Sequence, residues 1–192
     1  MLLVINHHSP NIPYIEEVLS SLKVKYIIKD RKKMFKDFEH SKFKGVILSG
    51  GGPLLDRGIN FKEVRAGISC LINYDLPILG ICLGHELISI SCGGEVIKLK
   101  KEIRNPTNRV SILKKNHIFK GLPDQIHAYE HHGRYVKNVP SFLEVVATSH
   151  KDRIEAVFHK KRPIFGIQFH PERSGEVGKK IFQNFLEICK EY

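Results

Sequence analysis

Two short runs constrain this chain most: Gly45–Ser49 (GVILS) and Pro77–Ile81 (PILGI), neither of which alternates polar with apolar residues. Strands of that kind are buried on both faces, which points to a parallel sheet with helices packed on either side. Each run also breaks at glycine. The first opens into Gly50-Gly51-Gly52-Pro53, a turn that no helix continues through. The second runs into Cys82-Leu83-Gly84 and a helical pattern over Leu83–Ser91.

The rest of the first half fits the same plan. Leu2–Asn6 reads as a strand that ends at the turn His7-His8-Ser9-Pro10-Asn11, and Val24–Ile28 reads as a second strand. Between them Ile15, Val18, Leu19 and Leu22 recur at helical spacing, with Glu16 and Glu17 near the expected helix start. Phe61–Tyr74 carries Val64, Ile68 and Leu71 on one helical side. Alternating strands and helices predict right-handed βαβ units. The second half is richer in strands, expected at Val110–Leu113, Ile126–Tyr129, Leu143–Thr148, Ile154–Phe158 and Ile164–Phe169. A last helix, Val177–Cys189, sets Ile181, Phe182, Phe185 and Ile188 on a core face. With no repeat, linker or low-complexity stretch, residues 1–192 are expected to form one α/β domain: an open, mostly parallel central sheet flanked by helices.

Composition narrows the function classes. The 31 Lys+Arg exceed the 20 Asp+Glu by 31 − 20 = 11, yet the lysines are dispersed, as in KLKKEIR and HKKR, without interleaved aromatics. That pattern reads as a solvated surface, so a nucleic-acid partner is not expected. No apolar run approaches the roughly 20 residues of a membrane helix, and MLLVINHHSP lacks a secretory pattern, so no membrane association is expected. Four cysteines without a CxxC pair argue against a disulfide framework or a structural zinc site and suit a reducing cytoplasm. The pairs His7/His8 and His131/His132 lack a ligand set at metal spacing and are expected to be solvated or to rim a pocket. Neither a metal nor a cofactor is implied.

The chemistry lies in Gly80-Ile81-Cys82-Leu83-Gly84. This is the G-x-nucleophile-x-G form of a strand–turn–helix elbow. The turn strains its central residue and aims it out of the carboxyl end of the sheet at a helix N-terminus, where the dipole favours a thiolate. Further along, Gln168-Phe169-His170-Pro171-Glu172 ends a strand with a histidine and an acid two residues apart. At the same sheet edge His170 can take the thiol proton and return it to a leaving amine, while Glu172 fixes the ring's tautomer.

Gly-Ile-Cys-Leu-Gly-His, followed about 88 residues later by Phe-His-Pro-Glu, resembles the class I (triad) glutamine amidotransferases, and the likeness runs through the whole chain. The resemblance implies their flavodoxin-like fold. It also implies that Cys82 attacks the side-chain amide of glutamine, forms a thioester and releases ammonia, with His170 and Glu172 completing the triad. The backbone N–H groups of Leu83 and of the Gly51/Gly52 turn would form the oxyanion hole, and His132 falls in a segment that lines the glutamine pocket or a partner interface. Because the chain ends just past its last helix, the ammonia acceptor is expected on a separate synthetase subunit.

The segments IFKGLP (118–123) and AYEHHG (128–133) look most like the glutaminase subunit of GMP synthetases. Imidazole glycerol phosphate and anthranilate synthase types remain as alternatives, beside a stand-alone γ-glutamyl amide hydrolase and a non-catalytic regulatory module. Three departures stand out. Arg134 replaces an acid of the Ser-His-x-Asp segment, and Arg173-Ser174 follow the triad in place of the usual residues. Glu86 replaces a glutamine that contacts the substrate, and it sits one helical turn from Cys82. A carboxylate there disfavours a thiolate, repels the α-carboxylate of glutamine or binds its α-ammonium.

Overall fold

The computed structural model describes residues 1–32, 42–52, 61–73, 75–115 and 117–192. The expected turn residue Pro53, the helix end at Tyr74 and Lys33 lie outside them. Among the described residues the chain builds a nine-stranded sheet and four α-helices. The strands are β1 (Leu2–His7), β2 (Tyr26–Asp30), β3 (Gly45–Gly51), β4 (Ile78–Ile81), β5 (Glu95–Ile112), β6 (Gln125–Asn138), β7 (Leu143–Thr148), β8 (Ile154–His159) and β9 (Ile164–Ile167). The helices are α1 (Ile12–Ser21), α2 (Phe61–Asn73), α3 (Leu83–Ser91) and α4 (Gly175–Cys189).

The order across the sheet is β2-β1-β3-β4-β9-β8-β7-β5-β6. From β2 to β9 all pairings are parallel, and from β9 to β6 all are antiparallel. The parallel half is the βαβ part expected from the two apolar runs. The antiparallel half is the strand-rich part.

Period-two alternation along β1 divides the core. Leu2 and Val4 pack with Ile15 and Leu19 of α1 and with Ile181, Phe182 and Phe185 of α4. Leu3 and Ile5 face the other way, toward Ala66, Cys70 and Leu71 of α2 and Ile88 of α3. Helices therefore cover both faces, which is why β3 and β4 carry no polar side. All six of these β3 and β4 residues, Val46, Ile47, Leu48, Ile78, Leu79 and Ile81, are fully buried.

Several boundaries differ from the sequence expectation. Helix α1 begins at Ile12, where Pro13 is tolerated in the first turn, so Glu16 and Glu17 sit in the second turn. Helix α4 starts two residues early, at Gly175. The largest difference is in β5 and β6, which run through Glu95–Arg109 and Glu130–Asn138 as well as the short stretches expected. Strand β5 meets β7 only at Ser111 and Ile112, so most of it forms a two-stranded ribbon with β6. This ribbon carries His131, His132 and Arg134 over the carboxyl ends of the parallel strands. Among the described residues no helix is long and apolar enough to cross a membrane.

Candidate active site

The elbow is strained as its motif demands. Cys82 has φ 51° and ψ −102°, in a region that costs a non-glycine residue on the order of 1–3 kcal/mol. It is held there by its own N–H, which donates to Ile167 O at 2.7 Å, and by its carbonyl, which accepts from Glu86 N at 3.0 Å. The flanking glycines allow the close packing. A Cβ on Gly80 would stand 2.6 Å from the Gly84 carbonyl, and one on Gly84 would collide with the Leu48 backbone of β3. The thiol therefore emerges between β4 and α3 at the carboxyl end of the sheet.

His170 and Glu172 follow β9, the neighbour of β4, and meet the thiol there. His170 N donates to Tyr129 O of β6 at 2.8 Å, and Ser174 Oγ both donates to His170 O at 2.7 Å and accepts from Tyr129 N at 3.0 Å. Arg173 then lies over the Tyr129 ring, 3.8 Å from its centroid, and 4.9 Å from that of Tyr14 on α1. So the two residues that depart from the family pattern after the triad clamp its turn to β6 and α1. His170 Nδ1 stands 2.8 Å from Glu172 Oε1, both side chains being nearly inaccessible. The thiol of Cys82 and Nε2 of His170 converge on His131 O, at 3.9 and 3.4 Å. Burial alone would push the His170 imidazolium down, but the Glu172 carboxylate and the hydrogen-bonded Cys82 outweigh it and hold the ring well above its ordinary range.

The triad opens into a cleft of about 510 Å³, whose lining includes Gly51, Gly52, Glu86 and His132. Leu83 is the first residue of α3, with its side chain packed against Val64 and Leu87. Arg134, noted in the sequence only as a departure, also lines the cleft, as do Asn11 and Lys98, which sequence reasoning missed. Glu86 is fully buried and pairs with Arg134, whose Nε donates to Oε2 at 2.9 Å. The two departures thus satisfy each other across α3 and β6. Burial pushes the Glu86 carboxyl above its ordinary value, and the Arg134 guanidinium opposes that push. Its second oxygen, Oε1, makes no hydrogen bond of good geometry among the described residues, although Gln168 lies close enough to favour the ionised form.

The histidine pairs differ from the expected solvated rim. His7 is fully buried, with Nδ1 3.1 Å from Ser49 O, and desolvation lowers its pKa to about 4. His132 is buried and donates from Nδ1 to Arg134 O at 2.6 Å, with Nε2 3.7 Å from Glu130 Oε2. Only His8 and His131 reach the rim, paired with Asp30 at 2.6 Å and Glu102 at 2.9 Å.

A nucleophile elbow, a histidine–acid pair just after the adjacent strand and a glycine turn at the end of β3 form one constellation, and likenesses to other proteins follow it. Residues 3–189 match the family model of glutamine amidotransferase class-I. The chain is 36% identical to a glutamine-hydrolysing GMP synthase subunit of Methanosphaera stadtmanae over 192 residues, 100% of this chain and 99% of that protein. Its identity to the corresponding protein of Methanocaldococcus jannaschii is also 36%, covering 98% of this chain and 97% of the relative. Among solved structures, a candidate GMP synthase subunit of Thermoplasma acidophilum superposes with a TM-score of 0.89 at 30% identity, covering 100% of this chain and 94% of that one. A glutamine amidotransferase of Thermotoga maritima shares the fold, with a TM-score of 0.80 at 19% identity, 100% of this chain against 98% of its own. The elbow, the triad turn and the sheet that brings them together are thus those of a known fold, and the chain belongs to the class I glutamine amidotransferase family.

Proposed function

We propose that this chain is the glutaminase subunit of a two-subunit GMP synthetase. It hydrolyses the side-chain amide of glutamine and supplies the ammonia to a separate synthetase chain. The observation that carries the chemistry is the strained Cys82 at a helix N-terminus beside a His170 that is paired to Glu172 at 2.8 Å. The full-length likeness to glutamine-hydrolysing GMP synthase subunits supports the acceptor.

In this reading the Cys82 thiolate attacks the amide carbon of glutamine. Backbone N–H groups of Leu83 and the Gly51/Gly52 turn receive the developing oxyanion, a contribution of several kcal/mol. The imidazolium of His170 protonates the departing ammonia, leaving a thioester on Cys82. His170 then deprotonates water, which attacks the thioester and releases glutamate. Glu172 keeps the ring in its Nδ1–H tautomer and stabilises its charge throughout. Glu86, with one oxygen held by Arg134, presents the other to the α-ammonium of glutamine, and His132 braces the ribbon side of the same cleft. Residues 1–192 act as one domain, which needs no cofactor or metal for these steps and works in the cytoplasm.

The acceptor is tested by mixing the chain with the GMP-forming synthetase subunit of the same source. GMP is expected from ammonium salts without this chain and from glutamine only with it. GMP formation from glutamine that ignores the chain contradicts the proposal.

A further inference from the structure

Asparagine at the start of a helix ordinarily turns its side chain back to accept from the backbone N–H of the second or third helical residue. Asn11 stands at that position before α1 and makes no such bond. The reason is local. The second helical residue is Pro13, which has no N–H to offer, and the N–H of the third, Tyr14, is taken by the Asn11 carbonyl at 3.1 Å. Asn11 N donates to Ser9 Oγ at 3.1 Å, so its backbone is fixed at both sides. The side chain, on a residue only 5% exposed, is left to point away from its own helix. Its amide nitrogen, Nδ2, lies 3.0 Å from His170 Nδ1, across 159 positions of sequence.

We propose that Asn11 is a positioning residue for His170, sharing the Nδ1 edge of the ring with Glu172 and fixing the plane in which the imidazole meets Cys82. The inference rests on the glutaminase reading of the triad. The atom placed against Nδ1 is Asn11 Nδ2. Nδ1 must carry its hydrogen if Nε2 is to accept the Cys82 proton, so in the proposed arrangement the amide is turned over and sets its oxygen beside Glu172 Oε1. Glu172 supplies the charge of the arrangement and Asn11 supplies a second, uncharged anchor on another element. Two anchors from α1 and from the triad turn restrain ring rotation more than either alone. The other groups around the ring are Cys82 from the elbow, the Tyr129 ring edge-on at 6.1 Å between centroids, and the His131 carbonyl. The imidazole of His131 is turned to Glu102. Among the described residues, Asn11 is therefore the neutral side chain that completes the Nδ1 side.

Two substitutions separate this role from a structural one. Asn11→Ser keeps a good helix-start residue but is too short to reach His170. Its thermal midpoint should stay at the wild-type value, while kcat for ammonia release falls about tenfold and KM for glutamine holds. Asn11→Asp keeps the reach and adds a carboxylate, so the His170 titration, followed by ¹⁵N NMR of labelled histidine, should move up by about one unit. Wild-type kcat in Asn11→Ser, or a His170 titration that Asn11→Asp leaves in place, overturns the proposal. If the wild-type chain with its synthetase subunit released no ammonia, the glutaminase reading would fall. The NMR comparison would still decide whether Asn11 and His170 are coupled.

Discussion

Glu86 and Arg134 each break the pattern of their family, and the structure joins them. A lone carboxylate one turn from Cys82 would oppose the thiolate and would be costly to bury. Pairing at 2.9 Å, with the Glu86 side chain 1% and that of Arg134 10% exposed, offsets part of both costs. The pairing was illegible in the sequence because it joins residues 48 positions apart on a helix and a ribbon strand. Cys82, His170 and Glu172 were legible because the elbow and the triad turn are local motifs whose geometry is dictated by glycine and proline. Asn11, read as part of a turn, concealed a contact that only the folded chain creates. If Glu86 Oε1 receives the α-ammonium of glutamine, Glu86→Gln should raise KM about tenfold with kcat nearly unchanged. It should also narrow the preference for glutamine over N-acetylglutamine. Steady-state kinetics with both substrates checks this, and equal KM values in wild type and variant would refute it.

At the scale of elements, the parallel half of the sheet announced itself and the ribbon did not. Strands β3 and β4 are buried on both faces, so their sequences are apolar apart from Ser49 and show no polar side to confuse the pattern. The β5–β6 ribbon has partly exposed residues on both faces and breaks its register near Lys98/Ile103 and Asn105/Asn108, the second break spanning Pro106. Period-two alternation cannot survive such bulges. Yet this ribbon supplies one wall of the cleft, and its Tyr129 holds the triad turn through the Ser174 and Arg173 contacts. The strands that were easy to read position the nucleophile, and the strand that was hard to read positions the base.

For the whole molecule, burial of neutral histidines sets a pH dependence. His7 and His85 are held down to about 4 and about 3 by desolvation, while in the unfolded chain they protonate near 6.5. With the folded values depressed, their contribution is present above about 6.5 and is lost as pH falls toward 4 and 3, at roughly 1 kcal/mol per pH unit each. Glu155 acts in the opposite sense. Burial and the neighbouring Glu130 raise its carboxyl well above the ordinary value, so its contribution is lost as pH rises from about 4.5. The His85 part is isolated by difference: urea unfolding of His85→Gln should show a shallower loss between pH 6.5 and 5 than wild type. Identical slopes would refute it. The surplus of 11 positive charges is dispersed along the sequence, which suits solubility and encounter with a partner rather than a fold requirement.

All scales meet in one claim, that Cys82, activated by His170 and Glu172, hydrolyses glutamine. The most direct test is glutamate release from glutamine by the purified chain with its synthetase subunit present, wild type beside Cys82→Ser. Steady release from wild type and a loss of at least about a thousandfold in the variant are expected. Comparable release from Cys82→Ser would contradict that claim.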